Sequence, residues 1–224
     1  VFGMRNFYSF MCLVLCVFVA CTILAEFHRG AVARRRQGES YAQALWILTF
    51  RNTRRYGGYV VHMGMVFLFV GFAGSGFNRE VQKEMVKGDK VEIGGYTLKL
   101  QDIKETENAN FVSEVGIIKV YRDGKEIKTL KPERRFYRSS EQATTEVALR
   151  STLKEDLYVV LGFNQDGSRA IIHVFLNPLV AWVWLGAFVF MVGTLICLLP
   201  DRHEKTLRKE QEVKLDVKEL LIKA

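Results

Sequence analysis

The chain has 224 residues, with 32 Lys and Arg against 24 Asp and Glu for a net charge of +8, and 49% of it is apolar. The apolar residues gather in three runs, 7–25, 59–76 and 178–199, each near the ~20 residues that span a bilayer, so composition excludes an ordinary soluble globular protein. The mean hydropathy of only +0.06 averages those runs with a charged middle.

The first element, residues 1–25, is expected to be a transmembrane helix. Val1 is not methionine and no positive n-region precedes a cleavage site, so a signal peptide is not expected. Residues 26–56 follow as a basic loop holding Arg29, Arg34, Arg35, Arg36, Arg51, Arg54 and Arg55 against Glu26 and Glu39. A short loop so rich in arginine is cytoplasmic by the positive-inside rule, which places the N-terminus and the middle of the chain outside and the tail inside. Within it, Tyr41, Ala44, Leu45 and Leu48 share one helical face, the pattern of a short amphipathic helix lying on the interface. A basic cluster also suits nucleic acid, but this one is pinned between two spans, so lipid headgroups are its expected partner and nucleic acid is not.

Residues 57–76 are expected to form the second span. Gly57, Gly64 and Gly71 recur every seven residues and make one smooth stripe, a surface on which another helix can approach closely. His62 stands alone in the uncharged run 59–73, about 10 Å beyond Arg55 at ~1.5 Å per residue. It points nearly opposite the glycines, on the side of Arg55, Gly58, Tyr59, Met65, Val66 and Phe69. An ionisable group at that depth needs a partner or a task, and neutral imidazole is a common ligand of metals, haem iron included. A flat macrocycle could lie on this side, with iron at His62, Arg55 reaching a propionate, and Tyr59 and Met65 packing on its face. The alternative is a lone intramembrane histidine hydrogen-bonded to a neighbouring helix.

From residue 77 to 173 long apolar runs give way to alternation. Residues 91–100 read as a hairpin turning at Gly94-Gly95, residues 116–130 as a second with Asp123-Gly124 in the turn, and residues 156–175 as a third turning at 164–168. Such strands imply an external all-β domain, a small sandwich or barrel inserted between the second and third spans. It contains no paired catalytic carboxylates, Ser/His/Asp set or phosphate loop. Arg134, Arg135 and Arg138 form a cluster that reads either as a solvated charged face or as a site for a carboxylate-bearing ligand or acidic partner. The third span is expected over residues 174–200, with Asn177 as its cap and Pro178 at its first helical position. Trp182 and Trp184 would then lie in the outer aromatic belt. The tail, 201–224, has Val213, Val217 and Leu220 at helical spacing. Cys12, Cys16, Cys21 and Cys197 all fall in predicted spans and show no metal or redox spacing, as expected of small apolar packing residues.

The runs RRYGGYVVHMG (54–64), ERRFY (133–137), TEVAL (145–149), DLYVVLG (156–162) and NPLVAWVWLG (177–186) together resemble the C-terminal part of the CcmF family, the haem lyase subunit of the cytochrome c maturation system. The resemblance keeps the family's order and covers most of residues 38–199. It implies a bacterial inner-membrane protein whose β-domain is periplasmic, preceded in the full-length family protein by many more spans, so that this chain is a split-gene product or a fragment. It also implies that His62 is one of two transmembrane axial ligands of a b-type haem. The implied partners are the remainder of the haem lyase, a haem chaperone, and apocytochrome c with its thiol-reducing or presenting subunit. Haem would be joined by thioether bonds to CxxCH cysteines, with no catalytic side chain of this chain taking part.

A six-coordinate haem needs a second ligand. His28 is expected at the inner edge of the first span, His173 at the opposite face and His203 in the tail, while Met65 shares a helix with His62 and cannot reach the other side of the same iron. Geometry therefore expects the second ligand from outside this chain. Two other functions remain open at this point: a respiratory b-type cytochrome subunit, and a haem-free membrane scaffold or transport subunit.

Overall fold

A computed structural model describes residues 4–35, 38–139, 142–163 and 169–200. The expected tail helix, His203 and the turn 164–168 lie outside the described residues. Three helices are long and apolar enough to cross a membrane, Phe7–Arg35, Thr53–Phe77 and Val180–Leu198, and a β-sandwich is inserted between the second and third. The described residues divide into two compact units, a helical one (within residues 10–70 and 182–200) and a sandwich one (within residues 4–9 and 71–181).

In the helical unit, α1 runs from Met4 to Arg35, α2 from Tyr41 to Arg51, α3 from Thr53 to Gly74 and α4 from Val180 to Leu198. Helix α1 does not stop at residue 25: it carries the first part of the basic segment onward, and Arg34 forms a bidentate pair with Glu39. Helix α2 opens on a capping box, Ser40 Oγ accepting from Gln43 N–H while Gln43 Oε1 accepts from Ser40 N–H. Part of its apolar face packs on protein. Ala44 and Leu48 are buried with Ala31 of α1 and Tyr56 of α3, and Phe27, Leu45 and Tyr59 pack against that cluster. Tyr41 on the expected face, and Trp46 and Phe50 outside it, are exposed. Helix α3 starts four residues earlier than residue 57, because Thr53 is buried and its hydroxyl donates to Leu199 O at 2.8 Å.

The glycine stripe of α3 meets α4, whose own glycines, Gly186 and Gly193, share the seven-residue spacing. A Cβ at Gly64 would stand 2.5 Å from Phe190 N, one at Gly193 2.5 Å from Val61 N, and one at Gly186 2.6 Å from Leu68 N. Gly57 lies similarly against Cys197. Backbone touches backbone along the whole pair, the arrangement by which small residues replace hydrophobic burial as the source of helix adhesion in lipid.

The sandwich is wholly antiparallel. Its strands are β1 (Arg79–Met85), β2 (Lys90–Ile93), β3 (Tyr96–Glu107), β4 (Phe111–Arg122), β5 (Lys125–Leu130), β6 (Glu133–Tyr137), β7 (Gln142–Glu146), β8 (Ala148–Arg150), β9 (Glu155–Phe163) and β10 (Ala170–Pro178). One sheet has the order β1-β10-β9-β8, and the other β2-β3-β4-β6-β7 with β5 also on β4. The hairpin turns at Gly94-Gly95 and Asp123-Gly124 form as expected, all four residues in the left-handed region that such turns require. Alternate residues face inward, so Leu98, Leu100, Ile118 and Val120 of one sheet meet Leu157, Val159, Leu161, Ile172, Val174 and Leu176 of the other in a single core.

Strand β10 corrects the expected start of the third span. Val174 and Leu176 are core residues, and the ladder continues through Asn177 opposite Asp156 and Pro178 opposite Glu155. The chain turns at Leu179, with φ 62°, and the helix begins at Val180. The period-two burial of this segment outweighs the Asn-Pro start signal. The arginine cluster is charge-paired: Arg135 lies 2.7 Å from Glu133 and 3.2 Å from Glu146, Arg134 3.9 Å from Glu114, and Arg138 bonds Glu107.

Two predictions follow from this packing. Gly64→Ala should weaken the α3–α4 pair by about 1–3 kcal/mol in detergent-denaturant titration, whereas Gly58→Ala, whose Cβ would meet no atom within 4 Å, should change it little. The hydrogen bond from Arg135 holds the Glu133 carboxyl below the usual carboxylate range. A depressed carboxyl stabilises the fold above its unfolded value, about 4.3, and that stabilisation disappears as pH falls through the folded value. Thermal unfolding should therefore separate the native chain from Glu133→Gln at pH 7, and the gap should close by pH 2.

Candidate functional site

His62 sits in the first half of α3, within the window of membrane-length apolar sequence. Its Nδ1 lies 2.7 Å from the carbonyl oxygen of Gly58, one turn earlier. A carbonyl can only accept, so Nδ1 carries the proton; in neutral imidazole Nε2 then keeps its lone pair. This is the arrangement that fixes tautomer and ring direction in metal-bound histidines, where the second ring nitrogen is tied to a backbone or carboxylate oxygen.

The ring occupies a face of α3 that the described residues of the helical unit leave open. His62 is exposed, Met65, Phe69 and Phe72 are exposed with it, and Gly58 has open space above it. The opposite, glycine side is the one buried against α4. Val66, expected on the histidine side, is buried at 7% exposure and does not share the open face.

Arg55 and Tyr59 are placed differently from Met65. Arg55 Nη2 pairs with Glu26 Oε2 at 3.0 Å and its Nε bonds the Tyr59 hydroxyl at 3.3 Å. The Tyr59 ring stands edge-on to Phe27 and Tyr56, at 6.0 and 5.8 Å between centroids, and completes the α1–α2–α3 cluster. Arg55 still keeps 62% of its side-chain surface exposed, so the pair with Glu26 leaves donors on the guanidinium. Sequence reasoning missed Glu26 as its partner. The available signal was that Glu26 and Glu39 are the two acids of an arginine-rich segment, and each is taken by an arginine.

The remaining described histidines stand apart. His28 Nδ1 is 3.3 Å from the Tyr41 hydroxyl. Because Glu26 pairs with Arg55, His28 lies near the level of Arg55, whereas His62 is seven residues further along, about 10 Å. His173 belongs to β10 in the sandwich, stacked 4.1 Å from Phe175 and 3.9 Å from Glu80. Among the described residues no group of three or more His, Cys, Asp or Glu converges as a metal site. Among the described histidines, His62 stands on an open apolar face of α3, apart from His28 on α1 and His173 in the sandwich. All four cysteines are free; Cys12 Sγ lies 3.8 Å from Phe69 O and Cys197 Sγ 3.9 Å from Arg54 O. Trp182 packs edge-on to Phe67 at 5.4 Å, while Trp184 is 76% exposed.

Residues 76–178 match the family model of the CcmF C-terminal beta-sandwich. A cytochrome c-type biogenesis protein CcmF of Pseudomonas aeruginosa is 31% identical over 212 residues, covering 90% of this chain and 30% of that protein. The CcmF of Escherichia coli is 31% identical over 163 residues, 72% of this chain and 25% of that protein. A solved structure titled cytochrome c heme lyase CcmF superposes with a TM-score of 0.56 at 20% identity, over 81% of this chain and 34% of the other, which shows the shared fold. The chain thus spans less than a third of the length of these curated relatives. Together, the sandwich, the flanking helices and the aligned sequence establish that the chain belongs to the CcmF family of cytochrome c-type biogenesis proteins, whose C-terminal β-sandwich it carries.

Proposed function

We propose that this chain is a membrane component of a cytochrome c haem lyase and that His62 Nε2 supplies one axial ligand to a b-type haem shared with a segment outside it. The observation that carries the reading is the Nδ1 bond to Gly58 O at 2.7 Å, which leaves a free imidazole lone pair on an uncovered apolar face at membrane depth. Haem b bound there would supply one-electron chemistry, by which an incoming haem iron is kept reduced for attachment. The contribution of this chain is to orient one ring nitrogen, to offer Met65 and Phe69 as an apolar wall, and to hold Arg55 at the near end for a propionate. Tyr59, committed to the aromatic cluster, braces Arg55 rather than facing the cofactor.

Among the described residues no side chain is arranged as an acid, base or nucleophile; the reactive atoms would belong to haem and to the thiols of a CxxCH segment. The sandwich would lie on the periplasmic side of the inner membrane and present surfaces to the haem chaperone, to apocytochrome c and to the subunit that keeps its thiols reduced. The rest of the lyase, with its own transmembrane histidine, would close the haem site.

In the complete lyase, His62→Ala should abolish the reduced-minus-oxidised b-haem bands and the accumulation of mature c-type cytochromes. Unchanged haem content in that variant would remove His62 from the site. The chain expressed alone should give no low-spin bis-histidine spectrum. Gly58→Leu should leave helix pairing intact while lowering haem occupancy, because its side chain would fill the open space beside His62.

A further inference from the structure

At one end of the sandwich lies a side-chain cluster that ligation of haem by His62 does not involve. Tyr96 is 1% exposed, and its hydroxyl donates to Glu155 Oε1 at 2.9 Å. The Tyr96 hydroxyl oxygen in turn accepts from Arg122 Nη1 at 2.9 Å and Arg150 Nη1 at 3.2 Å, and Arg122 Nη1 also donates to Glu155 Oε1 at 3.2 Å. Both guanidiniums lie over the Tyr96 ring, 4.9 and 5.7 Å from its centroid.

The place of this cluster along the chain matters as much as its chemistry. Glu155 is paired with Pro178, and Leu179 N–H donates to Lys154 O at 3.0 Å, immediately before α4 starts at Val180. Gly74, the last residue of α3, faces the Pro178 carbonyl. Both segments that join the sandwich to an apolar helix therefore run beside this cluster, and the ends of such helices are where polar headgroups lie.

Its charges are sorted in a consistent way. Glu155 and Asp156 are each 8% exposed and turned inward, Asp156 accepting from Ser151 Oγ at 2.6 Å and from Thr152 N–H at 3.3 Å. Thr152 Oγ1 locks the turn by donating to Glu155 O at 2.7 Å. Among the described residues each arginine enters the cluster through Nη1 alone, so Nε and Nη2 remain as donors in the forked geometry that suits phosphate. Between them the turn exposes Lys154, and beside it Leu153 at 69% exposure, an apolar tip among cations.

We propose that Arg122, Arg150 and Lys154 bind the phosphodiester headgroup of a bilayer phospholipid, with Leu153 entering the acyl region beneath it. The site holds the sandwich at a fixed height on the membrane surface, and it does so whether or not His62 ligates iron.

The test uses the full chain in alkyl maltoside micelles, titrated with dioleoyl phosphatidylglycerol, with amide hydrogen exchange of residues 150–156 as readout. Exchange should slow saturably with lipid. Arg150→Gln should weaken the half-saturating lipid concentration about fivefold, the share one surface cation contributes to anionic-lipid binding. Leu153→Ser, which leaves the Tyr96–Glu155–arginine contacts in place, should weaken it as well. Wild-type lipid affinity in both variants would overturn the proposal. So would equal slowing by inorganic phosphate without lipid, which would make this a soluble-anion site.

Discussion

The close approach of α3 and α4 is the constraint on which the helical unit depends. Lipid offers no hydrophobic gain for bringing two apolar helices together, so contact has to come from backbone surfaces that fit without side chains between them. Gly57 and Gly64 on one helix, Gly186 and Gly193 on the other, provide that fit. Once α3 has committed its glycine side to α4, the histidine side is left outward, and the seven-residue period of one feature sets the direction of the other. The hydrogen bond from His62 to Gly58 O then fixes the ring on that outward side. Gly58 serves both ends, its carbonyl holding the ring while its missing side chain leaves the face open.

Much of this was legible in the residues themselves. Three apolar runs, a glycine heptad and two glycine turns are strong local signals, and they formed three apolar helices with shifted bounds, a close helix contact and two hairpins. The edge strands were harder to read. Strand β1, with the sequence REVQKEM, and β7, with QATTE, are almost wholly exposed and carry charges or threonines where a central strand would alternate. Such edges are polar because a row of unpaired backbone groups invites association, and that same polarity erases the period by which strands are recognised. The start of α4 was misread for the opposite reason. Asn177 and Pro178 make a good local cap, but Val174 and Leu176 were already claimed by the sandwich core, and the ladder ran through the proline itself, so the helix starts only at Val180.

The candidate site was legible in its position on α3 but not in its neighbours. Depth and helical spacing singled out His62 and placed Arg55, Tyr59 and Met65 near it, yet spacing along one helix cannot say which neighbour a long side chain will choose. Glu26, on another helix, took Arg55, and Phe27 with Tyr56 took the Tyr59 ring. An amphipathic segment carries the same ambiguity: Ala44 and Leu48 of the apolar face of α2 pack on Ala31 and Tyr56 of the neighbouring helices.

The glycine contacts also carry a genetic implication. Where a bulky residue meets a bulky residue, a harmful enlargement on one helix can be offset by a smaller residue on the other. Between Gly64 and Gly186 no such exchange exists, since both positions already sit at the lower limit of side-chain size. Suppressors of a substitution at Gly64 should therefore map away from α4, to changes that shift or tilt a helix as a whole. The pair is a lock with no adjustable pin, and it leaves evolution few ways to alter the angle at which His62 is presented.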